Sequence, residues 1–174
     1  MTIKEIYDKH SKQVFNLALH YAQNTEDAEE ITQDVFVAIH QSLHVFQEKS
    51  QLGTWIYRIT VNKSLDFIKA RNRKKRFAFI TSLFTTDSEK ELHNRPNFDH
   101  PGMLLEQKES LKILFNHIND LPVNQKTALI LSKIEQQSQK EIAQIMNISP
   151  KAAESLIQRA KKNLSKKINR REGN

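Results

Sequence analysis

Apolar residues recur at intervals of three and four along most of this chain, which is the period of an amphipathic helix. In the segment 24–46, Ile31, Val35 and Ile39 share one face of a predicted helix. Acidic residues gather near its start, where the helix dipole favours negative charge. Helix breakers are scarce, with 3 Gly and 4 Pro among 174 residues. The pattern predicts an all-α protein.

The helical period is lost between residues 85 and 102, and this stretch contains Pro96, Pro101 and Gly102. We interpret it as part of a flexible linker at residues 77–107. The linker would join two small helical domains, residues 1–76 and residues 108–174. Each is long enough for a modest apolar core.

Charge is distributed unevenly along the chain, which carries 27 Lys and Arg against 20 Asp and Glu, a formal net charge of +7. The excess falls in two blocks: residues 62–76 hold 7 basic residues and 1 acidic residue, and residues 108–174 hold 13 and 6. Residues 1–61, in contrast, hold 5 basic and 8 acidic residues. A basic block in each predicted domain favours a polyanionic partner such as nucleic acid.

The segment 138–164 has the signals of two helices joined by a tight turn. Ser138 and Glu141 are spaced as a capping box, which starts the first helix. Asn147 tolerates the left-handed backbone that such a turn requires. Ser149 suits the N-cap of the second helix and Pro150 its first position. The segment therefore predicts a helix-turn-helix.

The second of these helices is predicted to be a DNA recognition helix. Its outward positions carry donors and acceptors that can reach base edges and phosphates, namely Lys151, Glu154, Ser155, Gln158, Arg159 and Lys162. The buried faces are predicted to comprise Ile142, Ala143, Met146, Ile148, Ala153, Leu156, Ile157 and Ala160. The alternative is an ordinary helical hairpin with a solvated charged face. The two start signals, the turn residue and the basic tail favour DNA binding.

Several kinds of chemistry are excluded or disfavoured. The sequence has no Cys, so disulfides, thiolate metal sites and cysteine nucleophiles are excluded. His40 and His44 have a helical spacing that suits chelation, but no third ligand is near them in sequence. There is also no Gly-rich phosphate loop, HExxH or nucleophile motif. We predict no enzyme activity, no metal site and no cofactor.

Hydropathy bears on the cellular location. No apolar stretch approaches the roughly 20 residues that a membrane-spanning helix needs, and the first ten residues lack the apolar core of a signal peptide. We expect a cytoplasmic protein without membrane insertion.

Four further segments point to a family: DAEEITQDVF, GTWIYRITVN, KARNRKKR and LPVNQKTALIL. Together with the helix-turn-helix, they resemble the extracytoplasmic-function (ECF) sub-family of bacterial RNA polymerase sigma factors, which are of the sigma-70 type. The resemblance covers nearly the whole chain except the linker. It implies a helical bundle, region 2, in the first domain and a region 4 helix-turn-helix in the second, acting in transcription initiation.

The resemblance also implies the partners and their binding residues. Core RNA polymerase would bind the helix that carries Asp27, Glu30, Gln33 and Asp34. The -35 promoter duplex would bind the recognition helix. An anti-sigma factor is a further expected partner.

The opened, single-stranded -10 element is implied to bind the segment 62–76. Asn62 matches a base-contacting position, and the full set of predicted contacts is Asn62, Lys63, Lys69, Arg71 and Arg73. The loop before Gly53 and Trp55 would help to capture a flipped base. We nevertheless interpret Trp55 as a core anchor, because an aromatic residue within an apolar helical pattern is more often buried.

Two departures from the family pattern concern the second domain. Gln136 stands where Gly is frequent before the helix-turn-helix, and Ala152, Ala153 and Glu154 replace commoner residues of the recognition helix. They affect the expected promoter sequence and not the expected role.

The main alternative function is a stand-alone helix-turn-helix repressor. Such a protein would bind duplex DNA as a dimer at symmetric half-sites, without polymerase. Its first domain would then supply a dimer interface. The acidic residues of that domain favour the sigma-factor interpretation.

Overall fold

The architecture comes from a computed structural model that describes residues 2–46, 51–84 and 105–172, with side chains at 2–46, 51–77 and 109–169. Every regular element in the described residues is a helix, which confirms the predicted all-α fold. Packing divides the chain into two compact units: Met1–Val45 with Ile59–Asp99, and Phe46–Arg58 with His100–Asn174.

The first unit begins with two helices, α1 at Ile3–Ala22 and α2 at Thr25–Ser42, followed by a short 3-10 turn at Leu43–Val45. Gln23 ends α1 in a left-handed conformation with φ 62°. The side chain of Asn24 then caps α2 by accepting from the backbone N–H of Asp27 at 2.8 Å. The chain therefore turns from one helix into the next within two residues.

The core of this unit lies between α1 and α2. Its most deeply buried apolar side chains are at most 1% exposed and include Ile6, Val14, Leu17, Ile31, Val35 and Ile39. Burial of each such side chain stabilises the fold by about 1.5–3 kcal/mol. The apolar face that the sequence predicts for the segment 24–46 is confirmed.

The helix α3 spans Leu52–Phe84. It continues for eight residues beyond Arg76, where the sequence places the end of the first domain, because the segment 77–84 contains no Gly or Pro to stop it. The rest of the predicted linker up to residue 104 lies outside the described residues. The boundaries at 76 and 107 remain predictions.

The second unit contains α4 at Leu105–Asn119, α5 at Val123–Leu129, α6 at Gln139–Met146 and α7 at Pro150–Glu172. A single π turn, Ile130–Ile134, extends α5. The long helix α7 packs against α4, α5 and α6. The core that these helices share includes Phe115, Ile118, Leu129, Ile130, Leu131, Ile142 and Ile157.

Candidate functional site

The exposed face of α2 carries three of the four residues predicted to bind polymerase. Glu30, Gln33 and Asp34 are all exposed. Val37 follows Glu30 by seven residues, which places it on the same face, and it is 54% exposed. We call these four residues the α2 stripe. Sequence reasoning missed Val37, although its spacing from the acidic residues was a usable signal.

The fourth predicted residue, Asp27, has a different environment. Its carboxylate oxygen Oδ2 accepts a hydrogen bond from Asn24 Nδ2 at 2.8 Å. The same oxygen accepts from Nη1 of Arg71 in an ion pair. The Asp27 side chain is 25% exposed and the Arg71 side chain 28%. One predicted polymerase contact is thus paired with one predicted DNA contact.

Arg71 also reaches the end of α1. Its Nη1 donates to the backbone carbonyl of Ala22 at 3.3 Å, and Asn24 Nδ2 donates to the same carbonyl at 3.3 Å. Carbonyls in the last turn of a helix have no partner within the helix, so this one is satisfied from outside. Arg71 and Asn24 therefore share two acceptors, the Ala22 carbonyl and the Asp27 carboxylate.

The other predicted -10 contacts lie on a different face of α3. Asn62, Asp66, Lys69 and Arg73 follow one another at intervals of four, three and four residues and are all exposed. We call these residues the α3 stripe. Lys63 lies beside it and is half-buried.

One ion pair lies within the α3 stripe. Lys69 Nζ is 3.6 Å from Asp66 Oδ1, and both side chains are more than 70% exposed. Such a pair contributes about 0–1 kcal/mol, so it restrains Lys69 only weakly. Lys69 can still bind an anion.

The predicted base-capturing loop is only partly described, because residues 47–50 lie outside the described ranges. Gly53 and Trp55 belong to the first turn of α3. The Trp55 ring lies against Phe46, with centroids 4.9 Å apart and a 37° tilt. Trp55 therefore has an aromatic packing partner, but both rings are half-buried, so Trp55 lies at the margin of the core and not within it.

The predicted helix-turn-helix is confirmed in its local geometry. Ser138 Oγ accepts from the backbone N–H of Glu141 at 3.3 Å, and the backbone N–H of Ser138 donates to the Glu141 carboxylate at 2.8 Å. Asn147 has φ 54° and ψ 49° in the left-handed region. The Ser149 hydroxyl accepts from the backbone N–H of Ala152 at 3.2 Å, so it caps α7, which starts at Pro150.

The capping box has an electrostatic consequence. The hydrogen bond from the Ser138 hydroxyl, and then the one from its backbone N–H, lower the pKa of the Glu141 carboxyl below its ordinary value of 4.5. Both bonds favour the charged carboxylate. The start of α6 is therefore strongest when Glu141 is ionised.

The outward face of α7 carries the predicted -35 contacts. Lys151, Glu154, Gln158, Arg159 and Lys162 are exposed, and Ser155 is half-buried. The opposite face is buried through Ala153, Ile157 and Ala160, as predicted.

The burial of α6 and its turn differs in detail from the prediction. Ile145 is 3% exposed and packs in the core, whereas Met146 and Ile148 are half-buried. Leu156 of α7 is also half-buried. The α6 helix ends at Met146, so this residue sits at the margin of the core.

Hydrogen bonds on α7 join two pairs of residues that are four positions apart. Arg159 Nη2 donates to the Ser155 hydroxyl at 2.9 Å, and Arg159 Nε donates to the Ser155 carbonyl at 3.3 Å. Gln158 Nε2 donates to Glu154 Oε1 at 3.4 Å. These bonds orient the polar ends of Arg159 and Gln158 on the exposed face.

Gln136 adopts a left-handed backbone with φ 54°. Gly is frequent at this position in the family that the sequence resembles. A side chain in this conformation is strained, whereas Gly adopts it without cost. The structure thus gives a physical reason for that Gly.

Neither a metal-binding cluster nor a membrane-spanning helix is found in the part of the chain that the structure describes. No group of three or more His, Asp or Glu side chains there is arranged to hold a metal ion. None of the helices described is long and apolar enough to cross a membrane.

Comparison with known families gives two matches. Residues 6–74 match the model for Sigma-70 region 2, and residues 113–164 match the model for Sigma-70, region 4. Together they cover more than half of the chain and contain the α2 stripe, the α3 stripe and the helix-turn-helix.

Individual proteins are similar over almost their full length. The ECF RNA polymerase sigma-E factor of Haemophilus influenzae is 29% identical over 168 residues, which cover 90% of this chain and 88% of the relative. The ECF RNA polymerase sigma factor SigM of Bacillus subtilis is 26% identical over 172 residues, which cover 98% and 97%.

Two solved structures have the same fold. CnrH in complex with the cytosolic domain of CnrY gives a TM-score of 0.68 at 20% identity, covering 96% of this chain and 87% of that one. The sigma factor RpoE in complex with the anti-sigma factor NepR, from Bartonella quintana, gives 0.67 at 19% identity, covering 95% and 96%.

Proposed function

The chain belongs to the sigma-70 family of RNA polymerase sigma factors and to its ECF sub-family, and we propose which of its surfaces bind the polymerase and the promoter. Core polymerase binds the α2 stripe, the opened -10 strand binds the α3 stripe, and the -35 duplex binds the exposed face of α7. The chain itself carries out no reaction, because the polymerase performs the chemistry.

The observation that carries this proposal is the separation of opposite charges onto two exposed stripes of one unit. The α2 stripe presents the carboxylates of Glu30 and Asp34, with Val37 as an exposed apolar neighbour. This combination suits a basic protein surface with an apolar centre, since charge steers association and apolar contact adds affinity. It does not suit DNA, whose phosphates the carboxylates would repel.

The α3 stripe has a net positive charge, because Lys69 and Arg73 outnumber the single carboxylate of Asp66. Asn62 offers an amide that can donate to and accept from a base edge, and Lys69 and Arg73 follow it along the same face. Unstacking a base costs a few kcal/mol, which polar contacts to the base and cationic contacts to the backbone can offset. Strand opening in this proposal is the capture of an opened strand and requires no ATP.

The exposed face of α7 suits direct reading of duplex DNA. Arg159 can bind both acceptors of a guanine in the major groove, and the carboxylate of Glu154 can accept from a cytosine amine. Lys151 and Lys162 are exposed near this face and can bind phosphates. We assign recognition of the -35 element to this set, together with Ser155 and Gln158.

A regulatory partner and a location complete the proposal. One solved structure of the same fold is a sigma factor in complex with an anti-sigma factor. We propose that this chain is likewise held inactive by an anti-sigma factor and that it acts in the cytoplasm, where RNA polymerase is found.

The proposal is tested by transcription in vitro. Purified chain is added to bacterial core polymerase that lacks a sigma factor, with a library of genomic fragments from the source organism as template. We expect initiation at a defined subset of fragments that core alone does not transcribe. Failure to bind core would overturn the proposal. A stand-alone repressor would bind fragments without polymerase and create no transcript.

A further inference from the structure

We propose that Arg71 is a positioning residue of the first unit, and that its guanidinium fixes α3 against the corner between α1 and α2. This reassigns Arg71 and Asp27, which the sequence presents as a DNA contact and a polymerase contact. The inference rests on the proposed function only where it links this corner to the two binding stripes.

The first argument is the position of Arg71 on α3. It follows Asn62 by nine residues, which is two and a half helical turns, so the two side chains leave opposite faces of the helix. Arg71 instead shares a face with Ser64, seven residues earlier, and Thr60, eleven residues earlier. Both of these are fully buried. A side chain on this face cannot extend the α3 stripe.

The second argument is the set of partners that surround the guanidinium. Arg71 donates to the Ala22 carbonyl at the end of α1 and to the Asp27 carboxylate in the first turn of α2. Among the described residues, its buried Nε has no hydrogen-bond partner, so the side chain is enclosed well below its tip. Arg73, two positions later, is exposed.

The third argument is electrostatic. A cation is favourable at the C-terminus of a helix and an anion at the N-terminus of a helix. The corner between α1 and α2 places both ends side by side, and Arg71 and Asp27 supply the matching charges. Both hydrogen bonds come from one nitrogen, Nη1, whose two hydrogens can serve the Ala22 carbonyl and the Asp27 carboxylate at once.

The ion pair between Asp27 and Arg71 is close in sequence to both binding stripes. Asp27 precedes Glu30 by three residues, so it anchors the end of α2 from which the α2 stripe begins. Arg71 lies between Lys69 and Arg73 in sequence but on the other side of α3. The ion pair therefore keeps the α2 stripe and the α3 stripe in one fixed arrangement.

The primary test is a double-mutant cycle on the thermal unfolding of the full chain. Arg71→Gln and Asp27→Asn are each expected to lower the Tm by about 4–8 °C, and the double variant by less than the sum of the two, because both single variants lose the same ion pair. Arg73→Gln serves as the matched control and should leave the Tm unchanged. Additive losses in the double variant would overturn the proposal.

A second measurement separates positioning from direct contact. Affinity for bacterial core polymerase is measured well below the Tm of each variant. Arg71→Gln removes a positive charge and would not weaken an attraction to a basic partner by charge alone. We expect it to weaken core binding several-fold because the α2 stripe is misplaced, with partial rescue in Arg71→Lys. Unchanged core affinity with reduced affinity for DNA would return Arg71 to the DNA contacts.

The failure of the proposed function is distinguishable from the failure of this inference. If Glu30→Lys with Asp34→Lys leaves core affinity unchanged, the α2 stripe is not the polymerase surface. The unfolding cycle involves no polymerase and still decides whether Arg71 and Asp27 are coupled.

Discussion

Arg159 donates two hydrogen bonds to Ser155: Nη2 donates to the Ser155 hydroxyl at 2.9 Å, and Nε donates to the Ser155 backbone carbonyl at 3.3 Å. The guanidinium is thereby held along α7 before any DNA is bound. Holding a long side chain in its bound orientation lowers the entropy that binding must offset. Ser155 is therefore expected to act on promoter recognition through Arg159.

Arg159→Ala is expected to weaken binding of the polymerase complex to its promoter by about 1–3 kcal/mol, because a base contact is lost. Ser155→Ala should cause a smaller loss, since Arg159 keeps its contact but not its orientation. Lys161→Ala is a control, because Lys161 is exposed but is not among the proposed base contacts. Affinity is measured at a fixed salt concentration, and equal losses in all three variants would contradict the assignment.

Glu30→Lys combined with Asp34→Lys is expected to abolish binding to core polymerase while the chain stays folded. The change reverses the charge of two exposed side chains on the α2 stripe, which the proposal places against a basic surface. Circular dichroism checks the fold, and native gel shift with core measures binding. Asp8→Lys, an exposed change on α1, should bind normally.

Gln136→Gly is expected to stabilise the second unit by about 1 kcal/mol, because Gly adopts the left-handed backbone without the strain that Gln bears there. Thermal unfolding of the full chain measures the change. Gln137→Gly is the comparison variant: its φ is not positive, so no strain is relieved. It loses the hydrogen bond from Gln137 Nε2 to the Glu135 carbonyl at 3.2 Å and bears the entropic cost of Gly, so its Tm should fall. A lower Tm for Gln136→Gly would mean that the Gln136 side chain stabilises the second unit by more than the strain of its left-handed backbone destabilises it.

Stability should depend on pH through Glu141. Its pKa is lowered in the folded chain, so its contribution is present above the ordinary value of 4.5 and is lost as the pH falls through the lower, folded value. Glu141→Gln is therefore expected to be less stable than the native chain at pH 7. The difference in Tm between the two should shrink as the pH falls below about 4.5. A difference that stays constant down to pH 3 would exclude this linkage.

Local signals in the sequence were sufficient to predict the structure wherever one residue type determines the backbone geometry around it. Ser138, Glu141, Asn147 and Pro150 define the start and end of two helices through capping and backbone preference, and the structure has each as predicted. The buried face of α2 followed from helical period alone. These features depend on neighbours within four residues, which a sequence displays directly.

Contacts between distant parts of the chain were not predictable in the same way. Asp27 and Arg71 are 44 residues apart, and each belongs to a segment whose charge suggests an exposed binding role. Only their packing shows that they neutralise each other. A partial signal existed for Arg71, since it lies on the same helical face as Thr60 and Ser64, but basic composition outweighed that pattern. Ile145 and Met146 are neighbours on α6, and a choice between them requires the position where the helix ends.

The continuity of α3 has a consequence for promoter spacing. Asn62 and Arg73 are separated by eleven residues of unbroken helix, which corresponds to about 16 Å along its axis. A helix cannot lengthen or shorten without breaking its hydrogen bonds, so the backbone positions of the proposed base contact, Asn62, and the proposed phosphate contact, Arg73, stay at a constant interval. A nucleotide inserted between the two corresponding points of the promoter must then be accommodated by the DNA strand, which has to bulge or lose one of the contacts.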